Sequence, residues 1–167
     1  MYYTTLGGKK YHEMYKQLRP GDVILTTDRK KLTSLLIPGE FSHAAFCVSL
    51  DTKWETSEMT HEDYRKSCFF DICKESDRVV ILRPNLSSKS ILSAIIKCKS
   101  FQNTKYDVHF YLGVKALYCS ELIYQSFEKN ELGVDLSDLV GLGRNYISPD
   151  GLYNATNLDV IIDTDLL

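Results

Sequence analysis

A cysteine stands at the start of what the residue pattern predicts to be an amphipathic helix, and this placement limits how the chain can fold. The helix is predicted to begin at Cys119 and to run to about Asn130, before Gly133. Five residues recur at the spacing of a single helical face: Cys119, Leu122, Ile123, Ser126 and Phe127. That face is mostly apolar, so we expect it to pack against a core with the thiol directed inward.

A thiol in the first turn of a helix has unusual chemistry. Unpaired backbone N–H groups and the partial positive charge of the helix dipole stabilise a thiolate and lower its pKa. The same N–H groups can hold the negative oxygen that forms when a carbonyl group is attacked. Cys119 is therefore a candidate nucleophile, whereas Cys47 and Cys98 stand in apolar strand and helix patterns and are expected in the core.

The rest of the pattern predicts helices and strands in one domain that spans residues 1–167. Strands are predicted at 22–26, 43–50, 53–59, 79–83 and 160–162, and helices at 10–18 and from Ser87 or Ser88 to Lys99. Residues 28–40 fit either a short helix or flap over a groove or a plain connecting loop. The predicted fold class is α+β.

Charge and composition exclude several functions. The chain has 20 basic and 22 acidic residues, a net charge of −2 and no basic block, so nucleic acid is not an expected partner. No apolar run approaches the ~20 residues that span a bilayer, and residues 1–5 lack the pattern of a signal peptide. The 5 cysteines have no framework spacing, which favours reduced thiols. We expect a cytoplasmic protein without a transmembrane segment.

Four short motifs occur in an order that resembles a known family. They are Arg19-Pro20-Gly21-Asp22-Val23-Ile24, Phe41-Ser42-His43-Ala44-Ala45, Tyr106-Asp107 and Tyr118-Cys119-Ser120-Glu121-Leu122, and Ser148-Pro149-Asp150-Gly151-Leu152 is similar to the family's C-terminal part. Over residues 19–155 the chain resembles the circularly permuted NlpC-type, papain-like cysteine hydrolases of the YiiX/YaeF group, with lecithin retinol acyltransferase a more distant relative. The resemblance implies an antiparallel sheet packed against helices, with the catalytic cysteine at a helix N-terminus.

The resemblance also implies the general base. In this family the hairpin with the histidine precedes the cysteine helix, the reverse of the order in papain, and His43 precedes Cys119 here. His43 matches the base that takes the proton of the thiol, and the small side chains of Ala44 and Ala45 leave room for an incoming helix.

A third polar residue is needed to orient the imidazole of His43, and strand geometry separates two candidates. If Asp51-Thr52 is a two-residue turn, Glu58 pairs with Ala45 on the next strand. Alternate residues share a face, so Glu58 lies on the face of His43, while Glu55 lies on the opposite face. We favour Glu58 and keep Glu55 as the alternative that a different turn would require.

Three more residues are candidates for substrate binding or oxyanion stabilisation. Tyr106 and Tyr118 stand close to Cys119 in the sequence, where their rings could line a cleft and one hydroxyl could assist the oxyanion. His109 lies between them in a loop that is expected to border the groove.

The expected activity is that of a cysteine hydrolase that cleaves an amide or peptide bond through Cys119, His43 and Glu58 and a thioester acyl-enzyme. The substrate would be a small molecule, a peptide or a lipid. No cofactor or metal is predicted, because no standard zinc spacing occurs among His61, Cys68 and Cys73.

Two alternatives stay open at the level of the sequence. The first is a lipid acyltransferase or thioesterase, for which Leu35, Leu36 and Ile37 could form an acyl groove. The second is a catalytically silent ligand-binding module of the same fold. The presence of all three of the Cys, His and Glu residues argues against this alternative.

Overall fold

One antiparallel sheet of six strands organises the rest of the chain. The computed structural model describes residues 6–28, 38–51, 54–139 and 143–167. In chain order, the strands of the sheet are β1 (Val23–Thr27), β2 (His43–Cys47), β3 (Glu55–Thr60), β4 (Asp63–Cys68), β5 (Arg78–Pro84) and β10 (Leu158–Asp163). They lie in the order β10-β5-β1-β2-β3-β4, and every neighbouring pair is antiparallel.

Shorter elements complete the described structure. Its α-helices are α1 (Gly8–Gln17), α2 (Phe69–Cys73), α3 (Ser88–Ser100), α4 (Cys119–Ser126) and α5 (Pro149–Tyr153). Two small sheets pair β6 (Lys105–Tyr106) with β7 (Ala116–Leu117) and β8 (Ser137–Leu139) with β9 (Arg144–Tyr146). Within the described ranges, no helix has the length and apolar content needed to cross a membrane.

Alternation of side chains gives the six-stranded sheet two apolar faces. One face packs against α3 and α4 through a cluster that includes Leu25, Phe46, Ile95 and Leu122. The other face packs against α1 and α2 through a cluster that includes Met14, Ile24, Ala45 and Phe69. The predicted α+β class, with an antiparallel sheet packed against helices, is therefore confirmed.

The register of β2 with β3 agrees with the sequence-based prediction. Ala45 pairs with Glu58, as a turn at Asp51-Thr52 requires. Thr52 itself lies outside the described residues. Both strands are shorter than predicted, because the backbone N–H groups of Val48 and Ser49 both donate to the carbonyl of Glu55 and so interrupt the regular ladder.

The cysteine helix is shorter than predicted. α4 begins at Cys119, as expected, but ends at Ser126 and not near Asn130. Phe127 is extended, and Lys129 and Asn130 both have a positive φ. The Asn130 side chain accepts a hydrogen bond from the Val134 N–H at 2.9 Å, so a turn closed by a side chain replaces the last helical turn.

Several elements were not expected from the sequence, among them β4, α2, α5 and the four strands of the two small sheets. β4 is a mostly polar edge strand, Asp63–Cys68, and it therefore shows no apolar alternation. The predicted flap or loop over 28–40 lies largely outside the described residues, because positions 29–37 are not described. Leu35, Leu36 and Ile37, the candidate acyl groove, fall in that stretch.

Gly21 marks a close approach between the turn before β1 and α3. Its φ is +87°, and a Cβ atom at this position would lie 2.3 Å from Cγ2 of Ile91. We expect Gly21→Ala to lower the free energy of unfolding by about 1–3 kcal/mol, because both the backbone and the packing are strained. Gly8→Ala is the matched control, because a Cβ at Gly8 meets nothing within 4 Å. Urea denaturation of both variants measures the difference, and equal stabilities would contradict the expectation.

Candidate active site

The N-terminal turn of α4 is held by the backbone of one residue. The hydroxyl of Tyr118 accepts a hydrogen bond from the Ile147 N–H at 2.8 Å, and the Ser120 hydroxyl donates to the Ile147 carbonyl at 2.7 Å. These two residues flank Cys119 on either side. The cysteine is thus fixed at the first position of the helix, where backbone N–H groups lack helical partners.

The imidazole of His43 lies between a carboxylate and the thiol of Cys119. His43 is the first residue of β2, and α4, which begins at Cys119, packs against β2 and β3. Nε2 of His43 lies 2.6 Å from Oε2 of Glu58. The Cys119 thiol lies close enough to His43, and to the backbone N–H groups of Ala44 and Ser120, for all three to lower its pKa. The structure therefore brings together the three residues that were expected to act together.

Glu58 is a buried carboxylate surrounded by donors. Its side chain is 3% exposed. Oε1 accepts hydrogen bonds from Nε and Nη2 of Arg65, at 2.8 and 2.6 Å, and from the hydroxyl of Ser67. Burial by itself raises the pKa of Glu58, but the hydrogen bonds and charges of these neighbours and of His43 lower it to about 2. The carboxylate therefore stays ionised at neutral pH.

The shifts at His43 and Cys119 favour a charged pair. Burial opposes the imidazolium, yet hydrogen bonds and attraction involving Cys119 and Glu58 raise the pKa of His43 to about 10. Burial also opposes a thiolate, but the hydrogen bond with His43 and its positive charge lower the pKa of Cys119. Both shifts place the shared proton on the imidazole near neutral pH, so that a thiolate faces an imidazolium.

Glu55, the alternative to Glu58, has a different partner. Its Oε1 lies 3.5 Å from Nζ of Lys99 on α3, and both side chains are about two-fifths exposed. The described structure thus pairs His43 with Glu58 and pairs Glu55 with a surface lysine.

The other three candidate residues occupy different environments. Tyr106 is partly buried beside Cys119. Burial and the charge of Cys119 both raise the pKa of its phenol. Tyr118 is 1% exposed and its hydroxyl is bonded to the backbone of Ile147, so the structure puts it in the core and not in a cleft. His109 is exposed on the loop between β6 and β7.

Sequence reasoning missed the residues that support Glu58 and the start of β2. Arg65 and Ser67 belong to β4, whose mostly polar sequence has no apolar alternation that would have indicated a strand. Asp150 of α5 accepts hydrogen bonds from the N–H groups of Glu40 and Phe41 at 3.0 and 2.9 Å, which fixes the backbone just before His43. The motif around Asp150 was noted in the sequence, but its contact was not.

Comparisons with known proteins agree with this architecture. A family model described as permuted papain-like amidase enzyme, YaeF/YiiX, C92 family, matches residues 17–166. No curated protein matches. Among solved structures, the crystal structure of the metalloprotein YiiX from Escherichia coli O157:H7 is similar, with a TM-score of 0.74 and 18% sequence identity. The similarity covers 87% of this chain and 97% of that chain.

YiiX is described as a metalloprotein, and that description is of YiiX alone. Within the described ranges, no group of three or more His, Cys, Asp or Glu side chains could hold a metal ion. His61 is exposed, and the thiol of Cys68 donates to Asp71 at 3.2 Å. The candidate site is therefore a cysteine, a histidine and a carboxylate.

The family model spans almost the entire chain, from the end of α1 to the last residues after β10. The YiiX structure shares the fold over most of both chains. The resemblance inferred from the sequence motifs is confirmed, and this chain belongs to the permuted papain-like amidase family YaeF/YiiX.

Proposed function

We propose that this protein is a papain-like cysteine amidase or peptidase in which Cys119, His43 and Glu58 form the catalytic triad. Membership of an amidase family supports an enzyme. The observation that carries the proposal is an imidazole that is hydrogen-bonded to a buried and ionised carboxylate and that lies beside the thiol at the start of α4. A nucleophile, a base and an orienting group in this arrangement are the requirements of nucleophilic acyl chemistry.

In the first half-reaction, the sulfur of Cys119 attacks the carbonyl carbon of the substrate and forms a C–S bond. The negative oxygen of the tetrahedral intermediate is stabilised by the backbone N–H of Cys119 at the N-terminus of α4. His43 then donates its proton to the amide nitrogen, the C–N bond breaks and the amine leaves. A thioester-linked acyl-enzyme remains.

In the second half-reaction, water attacks the thioester carbonyl while His43 accepts one of its protons. The C–S bond breaks, the carboxylic acid leaves and the thiolate–imidazolium pair is restored. Glu58 keeps its negative charge throughout, because its surroundings hold its pKa at about 2. Its task is to orient the imidazole and to stabilise the positive charge of that ring.

Acyl transfer to or from a lipid is the second candidate function. The loop that leads from β6 to β7 and on to Cys119 exposes apolar side chains, among them Val108 at 65%, Leu112 at 43% and Val114 at 59%. Exposed apolar groups near a nucleophile suit an acyl chain. An alcohol or amine in place of water would then accept the acyl group from the thioester.

Substrate preference distinguishes these two candidates. We expect dipeptide amides to be turned over at least as fast as long-chain acyl esters, because the proposed chemistry is that of an amidase. Steady-state kinetics with both substrate series provide the comparison. Faster turnover of the apolar esters would favour the acyltransferase or thioesterase.

The reactivity of the five thiols tests the nucleophile. Iodoacetamide near pH 6 should modify Cys119 before the other cysteines, because a lowered pKa preserves the thiolate as the pH falls. Burial raises the pKa of Cys47 and of Cys98 to about 12, so these thiols should stay unmodified. Peptide mass spectrometry of the labelled folded protein reports the order. Slower labelling of Cys119 would favour a catalytically silent binding module.

A matched pair of variants tests the orienting carboxylate. Glu58→Gln keeps the size of the side chain but removes the charge that stabilises the imidazolium, so turnover should fall by on the order of 10²-fold or more. Glu55→Gln should change it by less than about twofold, because the Glu55 side chain pairs with Lys99 where both side chains are partly exposed. Where no substrate is known, the rate of Cys119 alkylation near pH 6 replaces turnover as the measurement that compares the two variants. If Glu55→Gln lowers turnover and Glu58→Gln does not, the assignment of Glu58 as the orienting carboxylate is wrong.

A further inference from the structure

The loop between β6 and β7 is anchored next to the proposed nucleophile at both ends. We refer to residues 107–116, which run from the end of β6 to the first residue of β7, as the 107–116 loop. At its base, Tyr106 pairs with Leu117, and the Asp107 N–H donates to the Leu117 carbonyl at 3.0 Å. The chain then continues through Tyr118 into Cys119. The loop is therefore joined directly to the turn that carries the thiol, and we take it as one wall of the groove that a substrate would occupy.

Most of the loop is held by its own first residue and by aromatic packing. The Asp107 carboxylate accepts hydrogen bonds from the N–H groups of His109 and Tyr111, at 2.8 and 2.6 Å. The ring of Phe110 packs on that of Tyr118, with a centroid separation of 5.0 Å. These contacts end at Tyr111, so the tip of the loop, residues 112–114, needs another anchor.

That anchor is Glu121, the third residue of α4. The side chain is fully buried, and its Oε1 accepts a hydrogen bond from the Gly113 N–H at 2.7 Å. Gln125 approaches the same oxygen at 3.4 Å. Among the described residues, Oε2 has no hydrogen-bond partner and no cation pairs with the carboxyl. A buried acid with an unpaired oxygen is costly, and no step of the proposed mechanism uses it.

We propose that Glu121 is a positioning residue of the candidate active site, which holds the tip of the 107–116 loop against the N-terminal turn of α4 and so fixes the groove wall beside Cys119. The proposal rests on the proposed function, because it takes Cys119 as the reacting group. The two proposals are tested by different measurements: the proposed function by the reactivity of Cys119, and this one by how firmly the loop is held closed. The Gly113 N–H is the direct reporter, since no other hydrogen bond involves residues 112–114 in the described chain.

The ionisation of Glu121 gives the loop a defined pH dependence. Burial raises its pKa from 4.5 to about 7, against the hydrogen bonds from Gly113 and Gln125, and Asp107 across the loop adds repulsion. Burial and the nearby Glu121 raise the pKa of Tyr118, which keeps that phenol neutral. An opened loop would expose the carboxyl to water and return its pKa to the lower value. The closed loop is therefore favoured by protonation and loses stability as the pH rises from about 4.5 to about 7.

Amide hydrogen exchange at Gly113 tests the proposal in the intact protein. Protection, corrected for the intrinsic exchange rate, should fall by about tenfold or more between pH 5 and pH 8 in the wild type. Glu121→Gln keeps a carbonyl acceptor that does not titrate, so its protection should not change with pH. Glu121→Ala removes the acceptor and should lower protection by about fivefold or more at every pH. Glu128→Gln, an exposed change beyond the end of α4, should behave as the wild type.

A second measurement connects the loop to the site. The ratio of Cys119 alkylation rates for iodoacetamide and for its bulkier N-benzyl derivative should change by about threefold or more in Glu121→Ala, because a loosened wall admits the larger reagent. Glu121→Gln should restore the wild-type ratio near pH 5, where Glu121 is protonated. Should Glu121→Ala not fold, the flat pH profile of Glu121→Gln decides the question.

The outcomes separate this proposal from the proposed function. If Cys119 is not the preferred alkylation site, the proposed function fails, while Gly113 protection still reports on Glu121. If protection in Glu121→Gln follows the same pH profile as in the wild type, Glu121 does not hold the loop and the proposal is overturned. The proposal is also overturned if Glu121→Ala lowers Gly113 protection but leaves the ratio of the two alkylation rates unchanged. Glu121 would then stabilise the loop without affecting the surroundings of Cys119.

Discussion

The hydrogen bond between His43 and Glu58 is the contact on which the rest of the candidate site depends. It joins β2 to β3 in one register, and a slip of one residue would turn the carboxylate to the opposite face of the sheet. A buried carboxylate is stable only with several donors, and Arg65 and Ser67 of β4 supply those that His43 does not. Three neighbouring strands thus converge on one side chain, and the orientation of the imidazole toward Cys119 follows from the geometry of the sheet.

Two kinds of contact place the thiol against that imidazole. The apolar stripe of α4, with Leu122 and Ile123 fully buried, sets the rotation of the helix against the sheet. Each helical residue turns the direction of its side chain by about 100°, so a different stripe would carry Cys119 away from His43. The hydrogen bonds to Ile147 then fix the end of the helix. Hydrophobic packing thus determines which face of α4 meets the sheet, and the hydrogen bonds to Ile147 determine the position of α4 along its own axis.

Local periodicity was enough to predict the strands that carry His43 and Glu58 and the start of α4, because each follows from alternation or helical spacing within a few residues. The register of the two strands needed a further assumption, a two-residue turn at Asp51-Thr52. The support of Glu58 from β4 could not be predicted, since a polar edge strand acquires its role only by pairing. The early end of α4 depends on the side chain of Asn130. The burial of Tyr118 depends on the direction of a cap residue, which spacing does not encode.

The anchoring of α4 by Ile147 has a consequence for the order in which the molecule becomes functional. Ile147 follows Tyr118 by 29 positions and Ser120 by 27, so a growing chain contains Cys119 well before it contains the residue that clamps it. Contacts of such separation form late, because loop closure precedes them. A chain that stops before Ile147 would lack both hydrogen bonds, so the first turn of α4, which carries Cys119, would be held against the sheet by its apolar contacts alone.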